Sequence, residues 1–210
     1  AHLRKGEVRA KKGVLAKHEI AHLRPRLAGS AQPHRMRFLH HISKEASLIR
    51  RGEGVWRPTD KAACWLKDGA LTRQRILYGT WLEDRNWDDL CTMPDVDCED
   101  TGWSSDPVLA RKAILRYLGE CPPGVWLTVT SFVDSLHEVD PDFMRPDGDY
   151  DSWYIRDAPT GHYLMGYHNW DKVEGALIRY LLCVCWSSRG SWTVGCRQGE
   201  ERAYCFKVTD

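Results

Sequence analysis

Residues 33–58 read PHRMRFLHHISKEASLIRRGEGVWRP, and this stretch decides the fold of the first half of the chain. Pro33 is tolerated in the first turn of a helix, because the N–H that it lacks has no helical partner there. From His34 to Leu48 the apolar residues follow one helical face, at Met36, Leu39, Ile42 or Ser43, and Ala46. The pattern predicts a helix whose opposite face is basic. The basic residues assigned to that face are Arg35, Arg37, His41 and Lys44.

The segment after this helix is typical of a two-stranded ribbon. Strand-like residues flank Gly52 to Gly54, and glycine supplies the positive φ that a tight turn requires. Residues 17–27 also show helical spacing, so the order is helix, helix, ribbon, which is that of a winged helix. In that fold an exposed helix commonly enters the major groove, and the ribbon meets phosphate. The candidate nucleic-acid contacts of the ribbon are Arg50, Arg51 and Arg57.

Further along the chain, helices are predicted over 60–67, with Thr59 as N-cap, and over 71–82. From Glu83 to Asp106 the sequence becomes acidic and irregular, and three large apolar residues in it indicate packing. We therefore predict a packed acidic linker at 84–105. It separates a first module at 1–83 from a second module at 106–210.

The second module repeats the order of elements without repeating residues. Asp106 and Pro107 are typical of an N-cap and a first-turn proline, and they open a helix that runs to Gly119. The elements predicted after it are a strand over 125–129, a helix opened by a Ser131-x-x-Asp134 capping box, a helix capped by Asn169, and a hairpin around 198–200. A polar insertion at 138–168 is expected to fold back onto this module. The predicted fold class is mainly α with small β-hairpins, arranged as two winged-helix modules joined by a packed acidic connector.

Charge is distributed unevenly along the chain, although the formal net charge is only +1. Residues 1–60 hold 14 Lys and Arg against 5 Asp and Glu, a net +9, and the remaining residues carry a net −8. This split favours an anionic partner for the first module and a protein partner for the second. The alternative is a solvated charged face with no ligand.

Three of four common catalytic signatures are absent from the sequence. The P-loop, GxSxG and GxGxxG patterns do not occur, and the one match to HExxH, at residues 18–22, lies in the segment 17–27 with helical spacing. We expect no enzyme activity. The sharpest acidic cluster, Asp147 to Asp151, resembles the start of a calcium loop but has Ser152 where that loop requires glycine. We expect an ordered acidic turn whose carboxylates cap backbone N–H groups or pair with Arg145 and Arg156. A hydrolase built on this turn is a third, less favoured alternative.

The eight cysteines have irregular spacings and are expected to be reduced thiols. Zinc is not expected, because the nearest approaches to a CxxC knuckle are Cys91-x6-Cys98 and Cys183-x-Cys185. No other cofactor is expected either. The chain shows no apolar signal segment and no apolar run of the roughly 20 residues that a membrane span needs. We therefore expect a cytoplasmic protein with no membrane contact.

Four stretches of the sequence carry a family resemblance. They are Leu48–Leu66, Arg145–Asp157, Trp170–Leu177 and Phe206–Thr209. Together they resemble the winged-helix region of prokaryotic helicase-associated proteins of the XPB/Ssl2 amino-terminal type. The resemblance implies a nucleic-acid-associated module and supplies no catalytic residues. The Cys- and Trp-rich segment 183–197 departs from the pattern, and no helicase motor is present in this sequence.

From the sequence we expect a non-enzymatic nucleic-acid-binding adaptor, a subunit of a larger nucleoprotein or helicase-linked assembly. DNA or RNA would bind the amino-terminal module, and a protein partner would bind the carboxy-terminal one through the insertion and the final hairpin. The alternative is a protein–protein interaction scaffold without direct nucleic-acid contact. Clustering of the basic residues on one face would favour the first hypothesis, and scatter would favour the second.

Overall fold

Helices and small antiparallel sheets make up a mixed α/β fold. The computed structural model describes residues 8–11, 14–15, 33–101, 105–182, 192–196 and 203–209. Contacts divide the chain into two units, Ala1–Trp87 and Asp88–Asp210. The helix expected over 17–27 lies outside the described residues. Within the described ranges, no helix has the length and apolar character needed to cross a membrane.

The first unit combines a four-stranded antiparallel sheet with three helices in its described part. The strands are β1 (Val8–Lys11), β2 (Val14–Leu15), β3 (Ile49–Gly52) and β4 (Val55–Pro58), in the order β2-β1-β4-β3. The helices are α1 (Pro33–Glu45), α2 (Asp60–Trp65) and α3 (Ala70–Leu82). The predicted ribbon is therefore present, but β4 also pairs with β1 and is not an edge strand.

Helix α1 ends earlier than its apolar periodicity suggests. Ser47 has φ 59°, and its N–H donates to the Lys44 carbonyl, while the Leu48 N–H donates to the Ser43 carbonyl. This pair of bonds is a Schellman motif with serine in the left-handed position where glycine is usual. Leu48 is buried like the apolar face of the helix, which explains why the pattern continued to it.

The turn between β3 and β4 is a two-residue loop formed by Glu53 and Gly54. Both have positive φ, 52° and 79°, which is the type I′ geometry that matches the twist of a hairpin. The sequence predicted the turn but not the role of Glu53. Gly52 belongs to β3, paired with Val55.

Thr59 caps α2 as predicted, because its hydroxyl accepts a hydrogen bond from the Ala62 N–H at 3.2 Å. Ala62 then packs with Ala46 and Leu48 in a buried cluster. Leu77 of α3 lies against the same cluster. The two helices predicted as connectors thus contribute to the core of the first unit.

The second unit is built from three helices and two small sheets in its described part. Its helices are α4 (Pro107–Glu120), α5 (Val129–Val139) and α6 (Ala176–Tyr180), which directly follows a π-helical turn at Asp171–Gly175. Its strands are β5 (Val96–Cys98), β6 (Trp126–Thr128), β7 (Ile155–Asp157), β8 (Trp192–Cys196) and β9 (Ala203–Val208). One sheet pairs β5 with β7, and the other has the order β6-β9-β8.

The core of the second unit lies where the apolar faces of its helices meet the sheet. Phe206 of β9 is fully buried, and its ring meets that of Phe132 on α5 at 5.3 Å. Ile114 of α4 and Leu177 and Ile178 of α6 are also almost completely buried. In both units the first strand of the main sheet pairs with the last, and the last pairs with the strand before it: β1-β4-β3 and β6-β9-β8.

Two predicted helix caps in this unit are wrong. Helix α5 begins three residues early, because Thr128 is the N-cap and accepts from the Ser131 N–H at 3.0 Å. Asn169 does not cap a helix, since its side-chain amide donates to the Met165 carbonyl at 2.7 Å. The cap predicted at Asp106 is confirmed, because its carboxylate accepts from the N–H groups of Val108 and Leu109.

Residues 88–101, most of the segment expected to be a linker, belong to the second unit. Asp89 is buried and accepts a hydrogen bond from Arg111 of α4 at 2.6 Å, and β5 pairs with β7 of the insertion. Cys91 and Cys98 form a disulfide, so reduced thiols were the wrong expectation for this pair. Cys64, Cys121 and Cys205 are free thiols. Cys183 and Cys185 lie outside the described residues.

The insertion packs onto the second unit, as expected. Trp153, Ile155 and Leu164 are buried, and Arg145 is buried in an ion pair with Glu174. The Arg145 guanidinium also lies 3.9 Å from the centre of the Trp153 ring. An internal salt bridge therefore connects the insertion to the π-helical turn.

Candidate nucleic-acid interface

The basic residues predicted on α1 do not share one face. A helix advances about 100° per residue, so Arg37 and Lys44, seven residues apart, lie on one stripe. Both are exposed. Arg35 lies on the other side of the helix, next to buried Met36, and is half-buried. Its assignment to the exposed basic face is therefore corrected, because helical periodicity places it at the edge of the core.

His41 is oriented by a partner that the sequence did not predict. Its Nε2 lies 2.5 Å from Oδ2 of Asp84, just after α3, and the His41 side chain is only 15% exposed. Trp87 contacts the His41 ring at 5.0 Å between centroids. The imidazole thus connects α1 to the end of α3, and this geometry favours an architectural role over a phosphate contact.

The other histidines of this helix add little positive charge at neutral pH. Burial lowers the pKa of His40, and the neighbouring charges of His41 and Lys44 lower it further. Burial also lowers the pKa of His34, with a smaller contribution from Arg35. The exposed lysine and arginine side chains of α1 are therefore Arg37 and Lys44, and Lys44 forms an ion pair with Glu45 at 2.7 Å.

The hairpin brings two of the predicted arginines together. Arg50 of β3 and Arg57 of β4 are directly paired across the strands, so their side chains leave the same face of the sheet. Both are exposed. Like charges placed directly opposite one another repel, and an anion between them would relieve that repulsion. Glu53 lies 3.7 Å from Arg57 but is itself 88% exposed, so this ion pair is weak.

The remaining hairpin arginine alternates to the other face. Arg51 is paired with Trp56, whose buried ring meets His40 of α1 at 4.7 Å, so Trp56 faces the helix. Arg51 is nevertheless exposed, because it is next to the turn. The seven candidate residues thus form no single patch. The Arg50 and Arg57 face points away from α1, and Arg37 and Lys44 lie on the helix itself.

The division into units sharpens the charge asymmetry. Residues 1–87 hold 19 Lys and Arg against 8 Asp and Glu, a net +11, which leaves 11 against 21, a net −10, for residues 88–210. Arg73 and Arg75 on α3 contribute to the positive unit and were not among the predicted contacts. A charge count extended beyond residue 60 would have included both arginines.

The acidic turn at 147–151 of the second unit forms hydrogen bonds within itself. Oδ1 of Asp149 accepts hydrogen bonds from the N–H groups of Asp151 and Ser152, which confirms the predicted backbone capping. The Ser152 hydroxyl, which donates to Oδ2, and then these two N–H groups hold the pKa of Asp149 below its usual value. Arg145 and Arg156 pair instead with Glu174 and Glu99. Among the described residues, no group of three or more His, Cys, Asp or Glu is placed to hold a metal ion.

No protein-family model, curated protein or solved structure matches this chain. The resemblance to helicase-associated winged-helix proteins therefore stays a prediction.

Proposed function

We propose that this protein is a non-enzymatic nucleic-acid-binding adaptor. Its first unit binds the phosphate backbone of a duplex, and its second unit binds a protein partner within a larger nucleoprotein or helicase-linked assembly. The observation that carries the proposal is the exposed cross-strand pair of Arg50 and Arg57 on a unit of net charge +11. Lys and Arg near phosphate release condensed counterions, which is the main source of sequence-independent affinity.

The finer fold assignment, two winged-helix modules, is part of the same proposal. It is supported by the strand order shared by the two sheets, β1-β4-β3 and β6-β9-β8, with helices between the first strand and the hairpin. In such a module the hairpin is the wing, whose arginines meet phosphate or the minor groove. Arg50 and Arg57 then position the duplex without reading its sequence.

The test removes the arginine pair. A variant with Arg50→Ala and Arg57→Ala is expected to bind a duplex roughly ten-fold more weakly at moderate salt, because it loses two phosphate contacts. The slope of log affinity against log salt should fall by about 2. A mobility shift over a salt series measures both quantities.

The matched control changes the net charge equally in the second unit. Arg116→Ala with Lys172→Ala removes two exposed positive charges there and should leave the affinity and the slope unchanged. A third variant, Arg37→Ala with Lys44→Ala, reports on the exposed stripe of α1. If the hairpin variant and the control behave alike, the hairpin is not the binding surface.

The alternative is a protein-interaction scaffold. It is favoured by one specific observation: the candidate basic residues are divided between α1 and the far face of the hairpin. For a scaffold, duplex binding of the intact chain would be weak and equally affected by both double variants. The same mobility shift therefore separates the two functions.

Cytoplasmic location is the remaining part of the proposal, and the Cys91–Cys98 disulfide opposes it. Cytosolic thiols are generally kept reduced, with proteins of hyperthermophiles as the main exception. Alkylating free thiols in intact source cells, followed by mass spectrometry of the peptide spanning 91–98, tests the location. A cytoplasmic protein of a mesophile should yield both cysteines alkylated. Recovery of the linked peptide from such cells would contradict this location.

A further inference from the structure

The second unit has an apolar groove between the C-terminal end of α4, strand β6 and helix α5. Its volume is about 300 Å³, and its lining includes Tyr117, Leu127, Phe132 and Val139. Val139 is 72% exposed, the largest fraction among the exposed large apolar residues of the described ranges. Apolar surface left open in a concave site commonly marks a binding site.

The edges of this groove are acidic. Glu120, in the last turn of α4, lines the groove and is exposed. On α5, Glu138 is exposed and lies three residues after Ser135, which lines the groove, so Glu138 follows its edge.

A nearby cation does not neutralise this edge. Arg116 lies over the Tyr117 ring at 4.5 Å, but its guanidinium is 3.3 Å from Asp140 and pairs with that carboxylate. In the described part of this unit, the carboxylates of Glu120 and Glu138 therefore remain in excess at the edge. The surrounding unit carries a net charge of −10, which extends the same field.

The length of the groove indicates the shape of its occupant. The α5 residues that line it extend from Ser131 to Val139, a rise of about 12 Å along the helix. Two turns of a partner helix, with apolar anchors at i, i+3 or i+4 and i+7, match that length. Lysine or arginine residues beside those anchors would meet the acidic edges.

We propose that this groove binds a basic amphipathic α-helix of a partner protein. The proposal rests on the protein-binding role assigned above to the second unit and names its site and the chemistry of its partner. It does not depend on nucleic-acid binding by the first unit. If the mobility shift detected no duplex binding, the peptide experiment below would still test the groove.

The probe is a fluorescent helical peptide with leucine anchors at i, i+4 and i+7 flanked by lysines. The control peptide has the same sequence with glutamate in place of every lysine. The intact chain is expected to bind the lysine peptide at least roughly ten-fold more tightly, because its charges complement the groove edge. Fluorescence anisotropy at two salt concentrations measures both affinities.

Charge reversal at the edge should abolish this preference. Glu120→Lys and Glu138→Lys lie in the last turns of α4 and α5, where a cation is compatible with the helix dipole, so folding should be preserved. Together they should lower the affinity for the lysine peptide by about ten-fold or more. Val139→Lys should also lower this affinity, because it places a charge next to the leucine anchors. The control, Asp100→Lys with Asp147→Lys, makes the same charge change at exposed sites of this unit outside the groove and should have no such effect.

A thiol within the groove locates the bound peptide. Cys121 lines the groove and is half-buried, and burial, with help from Glu120, raises the pKa of its thiol. Bound lysine peptide should slow alkylation of Cys121, followed by mass spectrometry, while leaving the exposed Cys64 unaffected. Three results would overturn the proposal: equal affinity for the two peptides, unchanged affinity in the reversed variants, or a self-association of the chain that Val139→Lys abolishes.

Discussion

Replacing Arg145 with methionine is expected to lower the free energy of unfolding by about 3–5 kcal/mol. Glu174 is fully buried, its Oε1 accepts from Arg145 Nε, and its Oε2 has no hydrogen-bond partner. Without the guanidinium the carboxylate remains in a low-dielectric interior with no counter-charge. Urea denaturation of the intact chain, followed by near-ultraviolet circular dichroism, measures the loss.

The pH dependence of this variant has a defined sign. Burial raises the pKa of Glu174 more than Arg145 lowers it, and removing Arg145 raises it further. A carboxyl with a raised folded-state pKa stabilises the fold in its protonated form, so stability lost at pH 7 returns as the pH falls through that pKa. We expect the Arg145→Met variant to gain stability on acidification toward about pH 5, above the ordinary glutamate pKa of about 4.3.

The control removes both charges. Arg145→Met combined with Glu174→Gln should recover most of the lost stability and should lose the acid-side gain, because no buried carboxylate remains. If the single and double variants are equally unstable, the loss comes from packing of Arg145 against Trp153 and Tyr150 and not from the unpaired charge.

A fragment that begins at residue 102 is expected not to fold, whereas one that begins at Asp88 unfolds cooperatively. The shorter fragment lacks Asp89, so Arg111, which has no exposed surface, loses its carboxylate partner at a cost of about 3–5 kcal/mol. It also loses the buried Leu90 and Val96 and the pairing of β5 with β7. The combined loss is comparable with the whole stability of a small domain, about 5–15 kcal/mol.

Thermal melts followed by far-ultraviolet circular dichroism compare the two fragments. The variant Asp89→Asn in the longer fragment removes the ion pair with Arg111 but keeps strand β5. Its stability should lie between those of the two unaltered fragments. Equal melting temperatures for the fragments starting at 88 and 102 would show that residues 88–101 do not contribute to the core.

The parts of the fold predicted correctly have local causes. Thr59, Asp106-Pro107 and the β3–β4 hairpin are each decided by residues within a few positions, because caps and tight turns satisfy their own backbone groups. The predicted cap of α5 was wrong because its position also depends on a strand that is distant in sequence. Thr128 and Ser131 are both competent caps, and the choice between them depends on where β6 ends, which β9 determines.

The candidate site was predicted less well, because it depends on contacts between distant residues. The sequence identifies His41 as basic and helical, but its carboxylate partner is 43 residues away. The distinction between Arg35 and Arg37 follows from periodicity and could have been made. The disulfide could not, since pairing of Cys91 with Cys98 requires the turn between them to bring their Cα atoms to 5.5 Å.

The opposite charges of the two units have a consequence for encounters with other molecules. The formal charges of the two units, +11 and −10, are opposite in sign and nearly cancel in the whole chain. A polyanion would attract the first unit and repel the second, whatever the arrangement of the two units. The effect weakens beyond the Debye length, about 8 Å at physiological salt. We therefore expect the proposed duplex to meet the first unit before it meets the second.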